Sequence, residues 1–194
     1  MFELIGETRT YFSLIDKPEL VHKAIDFAHN LNIEIQTDFF NEINLLENGT
    51  CSNDAEWIPG KIVSESIDPF HMTSVEYFEQ WGREPIERMF NKFDGDVLHI
   101  HGNRRHLFKA VSIINGLKAI SVYDDGYVPS AFNILNEIKA KTGSVPLIIE
   151  VEYKAFKDAL EGHNLTGGIL YKLNNVLDIV HANRLIEKVR KYEV

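Results

Sequence analysis

From Gly95 onward short apolar runs alternate with helical stretches of about a dozen residues, and no other feature constrains the fold as strongly. The runs cover 97–101, 119–123, 146–151 and 168–171; the stretches between them cover 105–115, 129–141 and 153–160, with a last one over 177–192. Strict alternation of this kind predicts a parallel sheet with helical crossovers. A further strand is expected over 61–67, which makes five. A closed barrel of βα units needs eight strands and typically about 250 residues. The expected fold is therefore α/β in one domain over residues 1–194, with parallel (β/α) units that would fill only part of a TIM-type barrel. Three arrangements stay open: an open sheet, part of a larger fold, or two copies that complete one another.

Upstream, Asp16-Lys17-Pro18-Glu19 reads as a helix start with Asp16 as cap and Pro18 in the first turn. Apolar residues from Leu20 to Leu46 then recur at roughly helical spacing, giving one long or broken helix before Asn48-Gly49. A loop of small polar residues is expected over 50–54. Thr73-Ser74-Val75-Glu76 reads as a capping box, opening a helix with Val75, Phe78, Trp81, Ile86, Met89 and Phe90 on one stripe and a kink near Pro85.

A formal charge of −9 and a pI near 5.4 argue against a nucleic-acid surface, which needs clustered positive charge. Cys51 is the only cysteine, so neither an internal disulfide nor a cysteine-rich metal site can form. No apolar run approaches the roughly 20 residues of a membrane span, and the acidic N-terminal stretch lacks a secretory pattern. A cytoplasmic location is expected, with no membrane partner; in that setting the glycan-acceptor patterns at Asn48 and Asn164 have no meaning.

The chemistry concentrates in Val97-Leu98-His99-Ile100-His101-Gly102-Asn103. Side chains alternate along a strand, so His99 and His101 share one face while Leu98 and Ile100 pack against covering helices. Both imidazoles fall at the C-terminal end of a parallel strand, where α/β folds place their active sites. Imidazole is a common zinc ligand, and residues two apart on a strand can reach one ion, with a third ligand from another strand end. The alternative is a pair of hydrogen-bonded polar residues at the mouth. Arg104 and Arg105 are either anchors for a substrate carboxylate or phosphate, or solvated charges on a first helical turn. Asp124 and Asp125, before Gly126, read first as turn or cap residues. His22, His29, His71, His106 and His181 read as surface residues, and Cys51 as incidental.

The segment Leu98 to Asn103, followed by Leu107 and by Gly116-Leu117-Lys118-Ala119-Ile120-Ser121, resembles the His-x-Cys-Gly-Asn region of the uroporphyrinogen decarboxylase and corrinoid methyltransferase superfamily. Phe2-Glu3-Leu4 with Pro18-Glu19-Leu20-Val21-His22, then Met72 to Phe78, then Gly167-Gly168-Ile169 with the last helix, resemble other parts of that family in the same order. The resemblance spans nearly the whole chain but maps onto the C-terminal portion of the family's barrel. It implies a truncated barrel lacking the first strands, which either needs a partner chain, belongs to a longer enzyme, or is non-catalytic.

In the methyltransferase branch the His-x-Cys pair and a late cysteine bind zinc, which activates a thiol acceptor for a methyl group carried by a corrinoid protein or cobalamin. His99 matches the histidine, His101 stands in the cysteine's place, and no cysteine follows Cys51. The resemblance thus implies a site rebuilt from nitrogen and oxygen ligands: His99, His101 and Glu150, with Glu152, Asp68 and His163 as other oxygen or nitrogen candidates. His99, His101 and Asn103 are the candidate catalytic residues, and Arg104, Asp68, Tyr123 and Lys172 the candidate substrate contacts, for a small-molecule substrate. In the decarboxylase branch the substrate-binding aspartate and arginines come from the early half, which has no counterpart here. A homo-oligomer or a partner chain is the expected assembly.

Overall fold

The structure, a computed structural model, describes residues 5–51 and 56–193; within that range the side chain of Asn103 lies outside the described set. It is a mixed α/β chain whose centre is a five-stranded sheet flanked by helices. Two helices come first, α1 (Glu7–Asp16) and α2 (Pro18–Glu42). A small antiparallel hairpin of β1 (Gly49–Cys51) and β2 (Trp57–Pro59) leads into β3 (Ile62–Ser66). Helices α3 (Val75–Trp81) and α4 (Arg83–Lys92) cross over to β4 (Gly95–His101). Then follow α5 (Phe108–Val111), β5 (Leu117–Tyr123), α6 (Leu135–Thr142), β6 (Leu147–Glu152), α7 (Tyr153–Glu161), β7 (Ile169–Asn174) and α8 (Ile179–Val189).

The sheet order is β3-β4-β5-β6-β7, all parallel, with each strand beside its neighbour in the chain. All five expected strands are present. The two faces of this sheet differ because successive side chains point opposite ways. On one face Val63, Leu98, Ile100, Ile120, Val122, Leu147 and Ile149 pack with Phe78, Phe90, Phe108, Val111 and Ile138 from the crossover helices. The opposite face begins with a small floor of Ile62, Val97, Ala119 and Ile148, joined among the described residues by Ile58 from β2 and by no helix. One residue pair further along each strand, that floor gives way to polar side chains.

Several local expectations are revised. Asp16 ends α1, and the cap of α2 is Lys17, which makes no side-chain capping bond; Pro18 starts the helix as expected, since its missing N–H is not needed there. Helix α2 stops at Glu42, short of Leu46. Ser74, not Thr73, is the N-cap of α3, because the Thr73 hydroxyl donates to the carbonyl of Phe70 at 3.1 Å. The break near Pro85 falls instead at Gly82, where a Cβ would stand 2.7 Å from the Phe70 ring; Pro85 sits harmlessly in the first turn of α4. Only the start of the expected 105–115 helix lies in a 3₁₀ stretch, Gly102–Leu107, which is followed by one α-turn ending at Val111, and 129–141 likewise opens with the 3₁₀ turn Phe132–Ile134. The last helix starts at Ile179, where Asp178 Oδ1 accepts the backbone N–H of His181 at 2.9 Å. His29, expected at the surface, is buried, and burial lowers its pKa. Part of the expected 50–54 loop is β1, while residues 52–55 and Phe2 to Leu4 lie outside the described residues. Among the described residues no helix is long and apolar enough to cross a membrane.

Candidate metal centre

The site forms where β3, β4 and β5 end side by side. Register pairs Ser66 with His99, His99 with Ser121, and His101 with Tyr123, so neighbouring polar side chains rise from the uncovered face together. The His99 and His101 rings lie 5.1 Å apart, edge to face, and the Tyr123 ring stands 5.2 Å from the first and 5.4 Å from the second. The expectation that the two imidazoles share a face, with Leu98 and Ile100 turned to the helices, agrees with this arrangement.

Asp68 closes the group. It opens the 3₁₀ turn Asp68–Phe70 that follows β3, where Pro69 favours the turn and the Asp68 N–H donates to Ser66 Oγ at 3.1 Å. Its Oδ1 lies 3.6 Å from His99 Nε2 and 3.3 Å from Arg104 Nε. That oxygen is buried yet accepts no hydrogen bond, although the rest of the side chain is partly exposed. Asp68, His99 and His101 each offer one ligand atom, and these atoms all lie within 4.8 Å of one another. Two imidazole nitrogens and one carboxylate oxygen at this spacing can hold one divalent ion and leave further coordination positions for water or substrate.

His101 has a second partner. Its Nδ1 lies 3.1 Å from Asp125 Oδ1, which leaves Nε2 as the nitrogen available to an ion. A carboxylate behind an imidazole fixes its tautomer and orientation and raises its basicity. Asp125 reaches this position because the loop after β5 folds down on the loop after β4. Gly102 permits that contact: a Cβ there would stand 2.3 Å from Val128 Cγ2 and 3.1 Å from Asp125 Oδ2. Asp125 had read first as a turn or cap residue, with a place at the mouth as the alternative. Its neighbour Asp124 does behave as one, accepting the N–H of Ala131 at 2.7 Å and pairing with Arg105 at 3.2 Å.

The other candidates lie around this trio. Arg104, mostly buried, donates to the Asp68 carbonyl at 3.4 Å and faces its carboxylate, so it steadies a ligand residue. Arg105 is held by the Pro129 carbonyl at 2.6 Å as well as by Asp124. Lys172 Nζ sits 5.5 Å over the Tyr123 ring and 3.8 Å from Glu150, with Glu150 on β6 and Lys172 on β7, two and three strands from β4. Glu150 is thus not among the three converging ligands, and Asp68 fills that place. Glu152 accepts from Asn175 at 2.8 Å. His163 stacks on Tyr192 at 5.4 Å, away from the trio. Asn103 contributes its backbone to the Gly102–Leu107 turn; its side chain lies outside the described residues.

Fold and site together define a parallel α/β chain with a candidate two-histidine, one-carboxylate metal centre at the ends of adjacent strands. No protein-family model, curated protein or solved structure matches the chain.

Proposed function

We propose that this chain is a metal-dependent enzyme module of the (β/α)-barrel type, in which Asp68, His99 and His101 hold a zinc ion that acts on a small-molecule substrate. The observation that carries the reading is the meeting of three ligand atoms within 4.8 Å at the C-terminal ends of β3 and β4. The buried Asp68 Oδ1 facing His99 and the carboxylate behind His101 both favour an ion over a bare polar cluster. The barrel-type reading is supported by the sequential order of the strands and by helices packed against one face only, as in a singly wound sheet.

Asp68, His99 and His101 would hold the zinc, which would polarise an oxygen or thiol coordinating it. The chain's own residues supply the rest. Asp125 holds the His101 ring and fixes which of its nitrogens faces the ion. Tyr123 walls one side of the two imidazoles, and Lys172 brings a cation to the far side of that wall, where an anionic substrate group can pair with it. The nitrogen and oxygen donor set is harder than the thiolate set of zinc methyltransferases. Transfer of a methyl group from a corrinoid protein, or a decarboxylase-like reaction, remains the version of this chemistry that the resemblance to the uroporphyrinogen decarboxylase superfamily supports.

The test is a zinc titration of chelator-treated protein prepared without a His-tag. One ion per chain, lost in Asp68→Ala, His99→Ala and His101→Ala while circular dichroism is unchanged, is the expected result. Absence of saturable binding in the folded wild-type protein overturns the reading. A second reading, a sheet completed by another chain, draws on β3 and β7 being the terminal strands and on Leu170, 43% exposed on the uncovered face.

A further inference from the structure

Helix α2 is apolar on two sides, and only one of them is used. Val21, His29 and Phe40 are buried against the body of the chain, whereas Leu20, Phe27, Leu31, Ile35 and Phe39 form a second stripe turned to solvent, with Phe27 72% and Ile35 57% exposed. From Phe27 onward the stripe advances four residues at a time, a continuous ridge on one side of the helix. Exposed apolar residues scattered singly need no explanation, but a contiguous row over several helical turns marks a contact surface.

The charges along α2 identify the occupant. Lys17, its cap, and Lys23 in its first half are exposed; of the two acids there, Asp26 is held by Arg88 at 2.8 Å and Glu19 stands in the first turn, at the positive end of the helix dipole. Its second half carries Glu34, Asp38 and Glu42, all exposed, and no basic residue. A second copy laid antiparallel across the stripe, with the two-fold axis at Leu31, sets Phe27 opposite Ile35 of the second copy. Lys23 then lies beside the acidic Asp38 of the second copy. The helix dipoles oppose one another in the same arrangement, and a parallel pair would instead bring acids against acids. We infer that the solvent-facing stripe of α2 is the interface of a homodimer with antiparallel α2 helices, specified by the lysines of one half meeting the carboxylates of the other.

The full chain is expected to sediment as a dimer at about 50 μM, and Leu31→Glu is expected to raise the dissociation constant by at least about 30-fold, the effect of losing a central hot-spot residue. Ile35→Glu serves as the second variant; Leu31 and Ile35 are exposed, so circular dichroism should be unchanged in both. Lys23→Glu is expected to weaken the dimer by about 3–10-fold through its two symmetric pairs, and adding Asp38→Lys in the same chain is expected to restore it. In a Cys51→Ser background, oxidation of mixed Phe27→Cys and Ile35→Cys chains should give the mixed disulfide in preference to either homodimer. A monomer at 50 μM, a dimer unmoved by both glutamates in folded protein, or self-crosslinking of Phe27→Cys in preference to the mixed product overturns the inference.

Discussion

The two faces of the parallel sheet are built from the same strands and do opposite work. On the covered face, β4 contributes Leu98 and Ile100 to a core closed by Phe78, Phe90 and Phe108. On the other, the same strand contributes Val97 to the floor and then His99 and His101 to the mouth. A period of two lets adjacent residues serve stability and chemistry separately. Changes on the two faces should therefore be separable in measurement, and the covered face has a charged exception that sharpens the contrast: the buried carboxylate of Asp96 with Glu65 beside it.

The largest effect is expected on the covered face. Ile100→Ala and Ile120→Ala each remove a fully buried side chain, and urea denaturation should report losses of about 2–5 kcal/mol, with zinc still bound by whatever protein remains folded. On the uncovered face the pattern inverts. His99→Ala should shift urea stability of the metal-free protein by less than about 1 kcal/mol while weakening zinc binding by more than about 100-fold, beyond the usual cost of losing an outer partner. Asp125→Asn, which leaves all three ligands in place, should weaken zinc about 10–100-fold by calorimetry. Equal loss of stability from Ile100→Ala and His99→Ala would break the contrast.

A further expected effect concerns the exception. Asp96 has no exposed surface, and one of its oxygens accepts the N–H of Glu65 at 3.2 Å while the other accepts nothing. Burial, and then the nearby Glu65 carboxylate, push its pKa well above the usual carboxylate range. Glu65 is also raised, mainly by burial, with the Asn32 amide hydrogen bond at 3.1 Å working against the shift. Both folded-state values lie above the unfolded ones, so folding takes up protons. The stability this pair contributes is full below the ordinary carboxylate range and lost as pH rises through the folded values. Asp96→Asn keeps the acceptor and removes the charge. It should raise stability at neutral pH by about 1–3 kcal/mol and flatten the decline of stability between mildly acidic and neutral pH. An unchanged pH profile would show that another group carries it.

How much of this could be read in the sequence follows from the range of the interactions involved. The strands and the shared face of His99 and His101 depend on nearest neighbours and the period of two, and both were legible. The third ligand depends on how β3 lies against β4, a pairing between residues far apart in the chain, so Asp68 stood only as one alternative to Glu150. Asp125 was hidden more deeply: its Asp-Asp-Gly setting spells a turn, and only the descent of that loop onto Gly102 brings it to His101. Helix α1 and the hairpin of β1 and β2 carry no alternation or cap strong enough to announce them. The roughly helical spacing of apolar residues from Leu20 to Leu46 gave the helix but not which of its sides meets the sheet.

The central claim is that two imidazoles and a carboxylate of this chain form one metal site. X-ray absorption at the zinc edge of protein loaded with one equivalent of zinc tests it most directly. The expected spectrum has a first shell of nitrogen and oxygen at about 2.0–2.2 Å with the outer-shell scattering of two imidazoles. A sulfur shell near 2.3 Å, or an oxygen-only shell without imidazole scattering, would contradict it.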